Sequence, residues 1–171
     1  DCCMSDSTTP KTLALWQKLS GNAAGRVLFS AGLWAQAPYF ATVLPTVQEV
    51  EPGRAVVTSP KWFGVHNHIG TFHAIAACNL AETAMGMVME ATTPRTHQWI
   101  PKGMNVQYLA KAGTSLRAVA TLDRDLSAIT EGQDVPVEIA IYDKTGTEVV
   151  HAQIVTWVRP KSDDRSGSTP G

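Results

Sequence analysis

One short segment, NHIGTFHAIAACNLAETA at positions 67–84, carries most of the chemistry this sequence offers. Asn67 and Gly70 mark a turn, because both residue types tolerate backbone angles that others avoid. The residues after Gly70 are small and apolar, which predicts a helix over 70–90 with His73 in its first turn. Glu82 lies further along that helix. A carboxylate in such apolar surroundings is costly to bury without partners, and a group of that kind suits general-base or nucleophilic work. The spacing from His73 to Glu82 is about 2.5 helical turns, so the two side chains leave opposite sides of the helix, about 13 Å apart along it. They cannot meet within one chain. If both act on one substrate, a second copy must bring its own Glu82 to the first copy's His73.

The elements that would position these groups can be read from changes of period. Residues 11–33 look helical, through Leu13, Leu15, Trp16, Leu19, Val27, Leu28 and Leu33, with interruptions expected at Gly21 and Gly25. Pro38 and Pro45 flank Tyr39-Phe40, which reads as a connection packed on the core. From Thr46 to Thr58 apolar and polar residues alternate around a Pro-Gly turn, giving a first hairpin. The helix over 70–90 is apolar nearly all round and is expected to be buried, with its methionines as core filler. Strands then follow over 104–109, 116–122, 135–142 and 148–158, the last two joined by a hairpin turn at Asp143-Lys-Thr-Gly146. Successive strands without intervening helices favour an antiparallel sheet. The fold class is therefore α+β: an antiparallel sheet wrapped around one long central helix, with an N-terminal helical segment. The expected organisation is a mobile N-terminus over 1–10, one domain over 11–160 led by the helical segment 11–45, and a mobile tail over 161–171.

Composition narrows the partners. A net charge of −1 gives no reason to expect nucleic acid or an anionic membrane. No apolar run approaches the roughly 20 residues of a membrane helix, and DCCMSDSTTPK lacks the features of a signal peptide, so a cytoplasmic location is expected. Cys2 and Cys3 sit at a polar end consistent with a processed or vector-derived start, and Cys78 reads as a buried structural thiol. Neither the cysteines nor the histidines at 66, 68, 73 and 97 form a convincing ligand set, so no metal is expected, although His66 and His68 would share one side of a strand.

Asn67-x-x-Gly70-x-x-His73 followed by Leu80-Ala81-Glu82 resembles the active-site segment of PaaI-like hotdog thioesterases, Asn-x-x-Gly-x-x-His-Gly-Gly followed by Leu-Ala-Asp or Leu-Ala-Glu. It resembles still more the hotdog branch grouped as DUF4442, over roughly residues 35–160. The strands MNVQYLAKAG and VEIAIYDKTGTEVVHAQIVTWV are also similar to that superfamily. The resemblance implies a hotdog fold and hydrolysis of an acyl-CoA thioester, with coenzyme A as part of the substrate and no separate cofactor. It implies that Glu82 is base or nucleophile, that Asn67 orients water or the thioester carbonyl, that His73 positions the carbonyl or stabilises the leaving thiolate, and that the backbone N–H of Ala74 is the oxyanion donor. Gly70, Phe72 and Asn79 would lie along the substrate, and Thr93 or Thr96 would supply the hydroxyl that follows the helix in related enzymes. Lys102, Lys111 and Arg117 are the cations available for coenzyme A phosphates. Sites in this superfamily lie between two chains, which implies a homodimer or a dimer of dimers.

The sequence departs from the pattern at Ala74-Ile75, where the family has Gly-Gly. Ala74 costs little because the donor is backbone; Ile75 adds bulk beside the thioester. That departure sustains a second reading, a non-catalytic acyl or acyl-CoA binding protein. A hotdog dehydratase is a third, but its His-Phe-Pro and Met-Pro-Gly segments are missing. For Glu82 the structural alternative is an ion pair with Arg95 or Arg117. For Asn67 it is a turn residue capping the helix. The leading helices are expected to cover one end of the acyl channel.

Overall fold

Alternation decides the sheet. In the computed structural model, which describes residues 9–162, six strands form one antiparallel sheet: β1 (Thr46–Glu51), β2 (Arg54–Ser59), β3 (His97–Tyr108), β4 (Leu116–Thr121), β5 (Gln133–Tyr142) and β6 (Glu148–Pro160), in the order β1-β2-β4-β5-β6-β3. Every second residue of β5 (Val135, Val137, Ile139, Ile141) and of β6 (Val150, Ala152, Ile154, Thr156, Val158) is buried on one face. Helix α3 (Ala74–Thr92) lies across that face, packed chiefly on β2, β4 and β5. Its Ala77, Ala81 and Ala84 are buried, as are Ala55, Ala118, Ala120 and Ala152 of the sheet, and these short side chains let helix and sheet approach closely. Leu80, Met85 and Met89 fill the remaining space, each burial worth about 1.5–3 kcal/mol. A sheet curled around a single long helix is the hotdog arrangement expected from the sequence.

The leading segment is interrupted at Gly21, as expected, and so forms two helices. They are α1 (Lys11–Leu19) and α2 (Ala23–Gln36), separated at Ser20-Gly21-Asn22. Gly25 does not interrupt: it lies in the first turn of α2, where a Cβ would stand 1.7 Å from the Leu19 carbonyl oxygen, so it allows the tight α1–α2 corner. Trp16 and Phe29 meet edge to face with centroids 5.1 Å apart. The buried Ser30 hydroxyl accepts from the Val47 N–H at 2.9 Å, tying α2 to β1. The Pro38–Val43 connection is a short 3-10 helix. Val43, rather than Tyr39, packs in the core; Tyr39 is 67% exposed.

Two other boundaries differ from expectation. α3 begins at Ala74, not Gly70, because residues 66–72 are captured in a loop by partners from elsewhere in the fold: Phe72 N–H donates to the Ala112 carbonyl at 2.9 Å and His73 N–H to that of Val65 at 2.7 Å. β3 begins at His97, several residues before the expected strand, because it pairs along nearly its whole length with β6. Among the described residues no helix is long and apolar enough to cross a membrane. The expected mobile ends, with Cys2 and Cys3, fall almost wholly outside the described residues.

Candidate active site

The loop before α3 is built around Asn67. Its Oδ1 accepts from the N–H groups of Ile69 (3.1 Å) and Thr71 (3.0 Å), and its Nδ2 donates to the Thr71 hydroxyl at 2.7 Å. Gly70, at φ +75°, makes the reversal that this ring of bonds requires. The loop delivers the chain to His73, which caps α3: its Nδ1 accepts from the Ile75 N–H at 3.0 Å. An accepting Nδ1 places the proton of the neutral ring on Nε2. His73 is exposed, so that N–H faces outward. The Ala74 N–H, in contrast, has no acceptor among the described residues. It is an unpaired donor at the positive end of a 19-residue helix.

One stripe of α3 is turned away from the core: Ile75, Cys78, Glu82, Gly86 and Glu90 are exposed or half-buried between runs of buried residues. The helices α1 and α2 cover its C-terminal half. Between them and α3 lies a groove of about 490 Å³, whose wall includes Glu82, Gly86 and Met87 of α3 with Leu28, Phe29 and Leu33 of α2. Glu82 makes no hydrogen bond or ion pair among the described residues, so neither Arg95 nor Arg117 neutralises it. Arg117 instead stacks over Tyr142, 5.4 Å from the ring centre. The N-terminal half of the stripe is bare. There Cys78 is half-buried rather than part of the core, with Sγ 3.5 Å from the Tyr108 hydroxyl at the end of β3. Its thiol hydrogen bond, together with partial burial, raises the Tyr108 pKa above the usual value.

Residues 25–158 match the model of the domain of unknown function DUF4442. The chain belongs to the DUF4442 family. A structural-genomics protein with 40% identity superposes at a TM-score of 0.75, over 88% of this chain and 99% of that one. A Pseudomonas aeruginosa protein of unknown function, described as a probable thioesterase, shares the fold at 22% identity and a TM-score of 0.69, over 75% of this chain and 91% of that one. A Streptococcus mutans protein bound to acetyl-CoA does so at 19% identity and a TM-score of 0.58, over 67% and 88% of the two chains. No protein of curated function matches. This DUF4442 chain thus has the hotdog fold of named thioesterases.

The family motif and the rest of the expected site separate in the structure. Asn67, Gly70, His73 and Ala74 come together at the N-terminus of α3, where His73 is the N-cap with extended backbone (φ −64°, ψ 135°) and so lies outside the helical period, while Glu82 lies about 12 Å along the helix from Ala74. Phe72 is not on a binding surface: it is 4% exposed and belongs to the core. Asn79 is also buried, and its amide donates to the Tyr39 carbonyl (3.2 Å) and the Thr42 hydroxyl (3.0 Å), fastening the 3-10 segment to α3. Its Oδ1 has no partner among the described residues. Thr93 and Thr96 lie at the far end of α3, about 30 Å along the helix from His73. The Thr96 hydroxyl is held 2.8 Å from His97 Nδ1, so within one chain these residues join neither group. His66 and His68 lie in a loop rather than a strand, so their alternation places nothing on one side. Lys102 pairs with Asp134 at 2.8 Å, whereas Lys111 stays beside the motif, next to the Ala112 carbonyl that accepts from Phe72. The leading helices, expected to cover one end of the site, form the α1–α2 wall of the groove, but which of their side chains line it was not legible. Its only local signal is the helical spacing of Leu15, Leu19, Leu28 and Leu33.

Proposed function

We propose that this protein is a cytoplasmic acyl-CoA thioesterase whose active site forms between two copies of the chain. The observation that carries the reading is Glu82, a carboxylate without a partner among the described residues, in an apolar groove on the same helix as an unpaired Ala74 N–H but about 12 Å along it. In the proposed reaction the thioester carbonyl oxygen accepts from the Ala74 N–H of one protomer. Glu82 of the partner subunit takes a proton from water as that water attacks the carbonyl carbon. The tetrahedral intermediate collapses with cleavage of the C–S bond, and the coenzyme A thiolate takes up a proton. Water is the one co-reactant this chemistry requires. Asn67 contributes by shaping the loop that presents Ala74, and the outward Nε2–H of His73 is placed to donate to the carbonyl or the departing sulfur.

The dimer is supported by β3. It lies at the sheet edge and, among the described residues, pairs only with β6, along its 12-residue length, so its other edge carries N–H and C=O groups that no described strand pairs, while Ile100, Met104 and Tyr108 are exposed on it. A long edge of that kind is a template for pairing with a second copy about a two-fold axis. Acyl-CoA as substrate is supported by the Streptococcus mutans protein of the same fold that binds acetyl-CoA.

One observation favours a non-catalytic acyl-CoA binder. Ile75, where the resembling pattern has glycine, is 57% exposed beside Ala74 and adds bulk at the oxyanion donor. Thiol release measured against short, medium, long and aromatic acyl-CoAs, with Glu82→Gln alongside, separates the readings. A thioesterase releases thiol and loses that activity in the variant. A binder raises its Tm with acyl-CoA and leaves the thioester intact.

A further inference from the structure

We infer that the groove between α1, α2 and α3 is the acyl-chain pocket, and that Gly32 and Gly86 size it for an unbranched chain of about 8–10 carbons. The inference rests on the acyl-CoA reading and adds the class of acyl group. Its first support is the lining: apart from Glu82, Gln36 and the polar closure at Glu90 and Thr12, the groove is faced mainly by leucine, phenylalanine and methionine side chains, and its volume of about 490 Å³ is that of a small-ligand pocket.

The second support is the pair of glycines. Gly32 sits inside α2 and Gly86 inside α3, and both line the groove. Glycine is the poorest helix former apart from proline, so a helix-interior glycine calls for a reason. Close packing is not the reason here, because a Cβ built on either residue meets no atom within 4 Å, and neither residue has a positive φ. What the two glycines supply is empty volume inside the groove. This differs from Gly25, where a Cβ would strike backbone.

The third support is the closed end. Glu90 accepts from Trp99 Nε1 at 3.1 Å and from the Thr12 hydroxyl at 3.4 Å, joining α3, β3 and α1 across the groove. An apolar chain gains nothing by advancing into that polar junction. From Glu82 to Glu90 the helix rises about 12 Å. An extended alkyl chain advances about 1.25 Å per carbon, which sets the chain length given above.

The test combines turnover and binding. Thiol release by the full chain is measured with butyryl-, octanoyl-, decanoyl- and palmitoyl-CoA for the wild type, Gly32→Leu and Gly86→Leu. In parallel, calorimetry measures binding of butyryl-CoA and decanoyl-CoA to Glu82→Gln with and without each leucine. The expected results are a wild-type optimum at octanoyl or decanoyl, binding of decanoyl-CoA about tenfold or more tighter than butyryl-CoA, and loss of that preference in both leucine variants. Gly32→Ala and Gly86→Ala serve where leucine prevents folding: alanine favours the helix, so Tm holds or rises while the optimum moves to shorter chains. Equal binding of the two acyl-CoAs, or leucine and alanine variants that keep the wild-type preference, would overturn the inference. Absence of thiol release from every substrate defeats the thioesterase reading alone, since the binding arm still reads the groove.

Discussion

Glu82 and Glu138 are the same side chain in opposite surroundings. Glu138, on the outer face of β5, accepts from Gln153 Nε2 at 2.6 Å and from His151 Nε2 at 2.9 Å, and the other ring nitrogen of His151 lies 2.6 Å from Glu148. The Gln153 bond, with that of His151, draws the Glu138 pKa below its usual value. The two carboxylates, Glu148 foremost, push that of His151 up. Both oxygens of Glu138 are used in holding the sheet surface together. Glu82 has no such partner among the described residues and faces an apolar groove. A carboxylate whose oxygens are both taken by donors has few lone pairs free for a substrate, whereas one without partners has them free. Glu90, tied to Trp99 and Thr12, stands between the two.

The strongest way to break this contrast is Glu82→Gln. Thiol release is expected to fall by about 10²–10⁴-fold, with Tm held or raised because no native bond is lost. An active Glu82→Gln would mean that the carboxylate is idle. Next comes the edge of β3. Glu82 and Ala74 meet only across two copies in this reading, so Ile100→Glu, which sets like charges against each other at that edge, is expected to give monomers by light scattering and to lose turnover with the dimer. A dimeric, active variant would move the interface elsewhere. Leu80→Ala sharpens the contrast from the other face of the same helix. Leu80 is fully buried, so the variant should unfold more easily by about 2–5 kcal/mol in denaturant, while its folded fraction keeps the wild-type substrate profile.

The smallest effect belongs to the outer sheet. His151 has a folded pKa above 6.5, so its contribution to stability is present below pH 6.5 and lost as pH rises through the raised value. Glu138 has a folded pKa below 4.5, so its contribution is present above pH 4.5 and lost as pH falls through the lowered value. His151→Gln should therefore cost most between pH 4.5 and 6.5. The cost should be about 1 kcal/mol or less, since these side chains are 34–46% exposed and screened by water. Urea titrations across that range would show it, and thiol release should not change with it.

The strands over 116–122, 135–142 and 148–158 and the Asp143–Gly146 turn were legible because alternation and turn chemistry are local properties. The same holds for the turn at Asn67–Gly70 and for the distance along the helix between the motif loop and Glu82, which follows from the helical rise. The opposed directions of His73 and Glu82 do not follow, because His73 is the extended N-cap and not a helical residue. Where the helix starts was not legible. Gly70 to His73 could have been helical, but Asn67 takes the N–H groups of Gly70 and Thr71, and Ala112 and Val65 take those of Phe72 and His73. Nor could the sequence tell that Phe72 and Asn79 are spent on packing, or that Thr93 and Thr96 lie at the remote end of α3. Such roles depend on which neighbours arrive, and a motif records residue types rather than neighbours. By itself, then, the sequence determined the secondary-structure periods, the turn that opens α3 and the distance along the helix from that turn to Glu82, all set by backbone geometry over a few residues. Tertiary structure alone decided which carboxylate stays unpartnered among the described residues, which side chains of the two N-terminal helices line the groove beside it, and that β3 lies at an open edge, because these follow from burial and pairing between segments far apart in the chain.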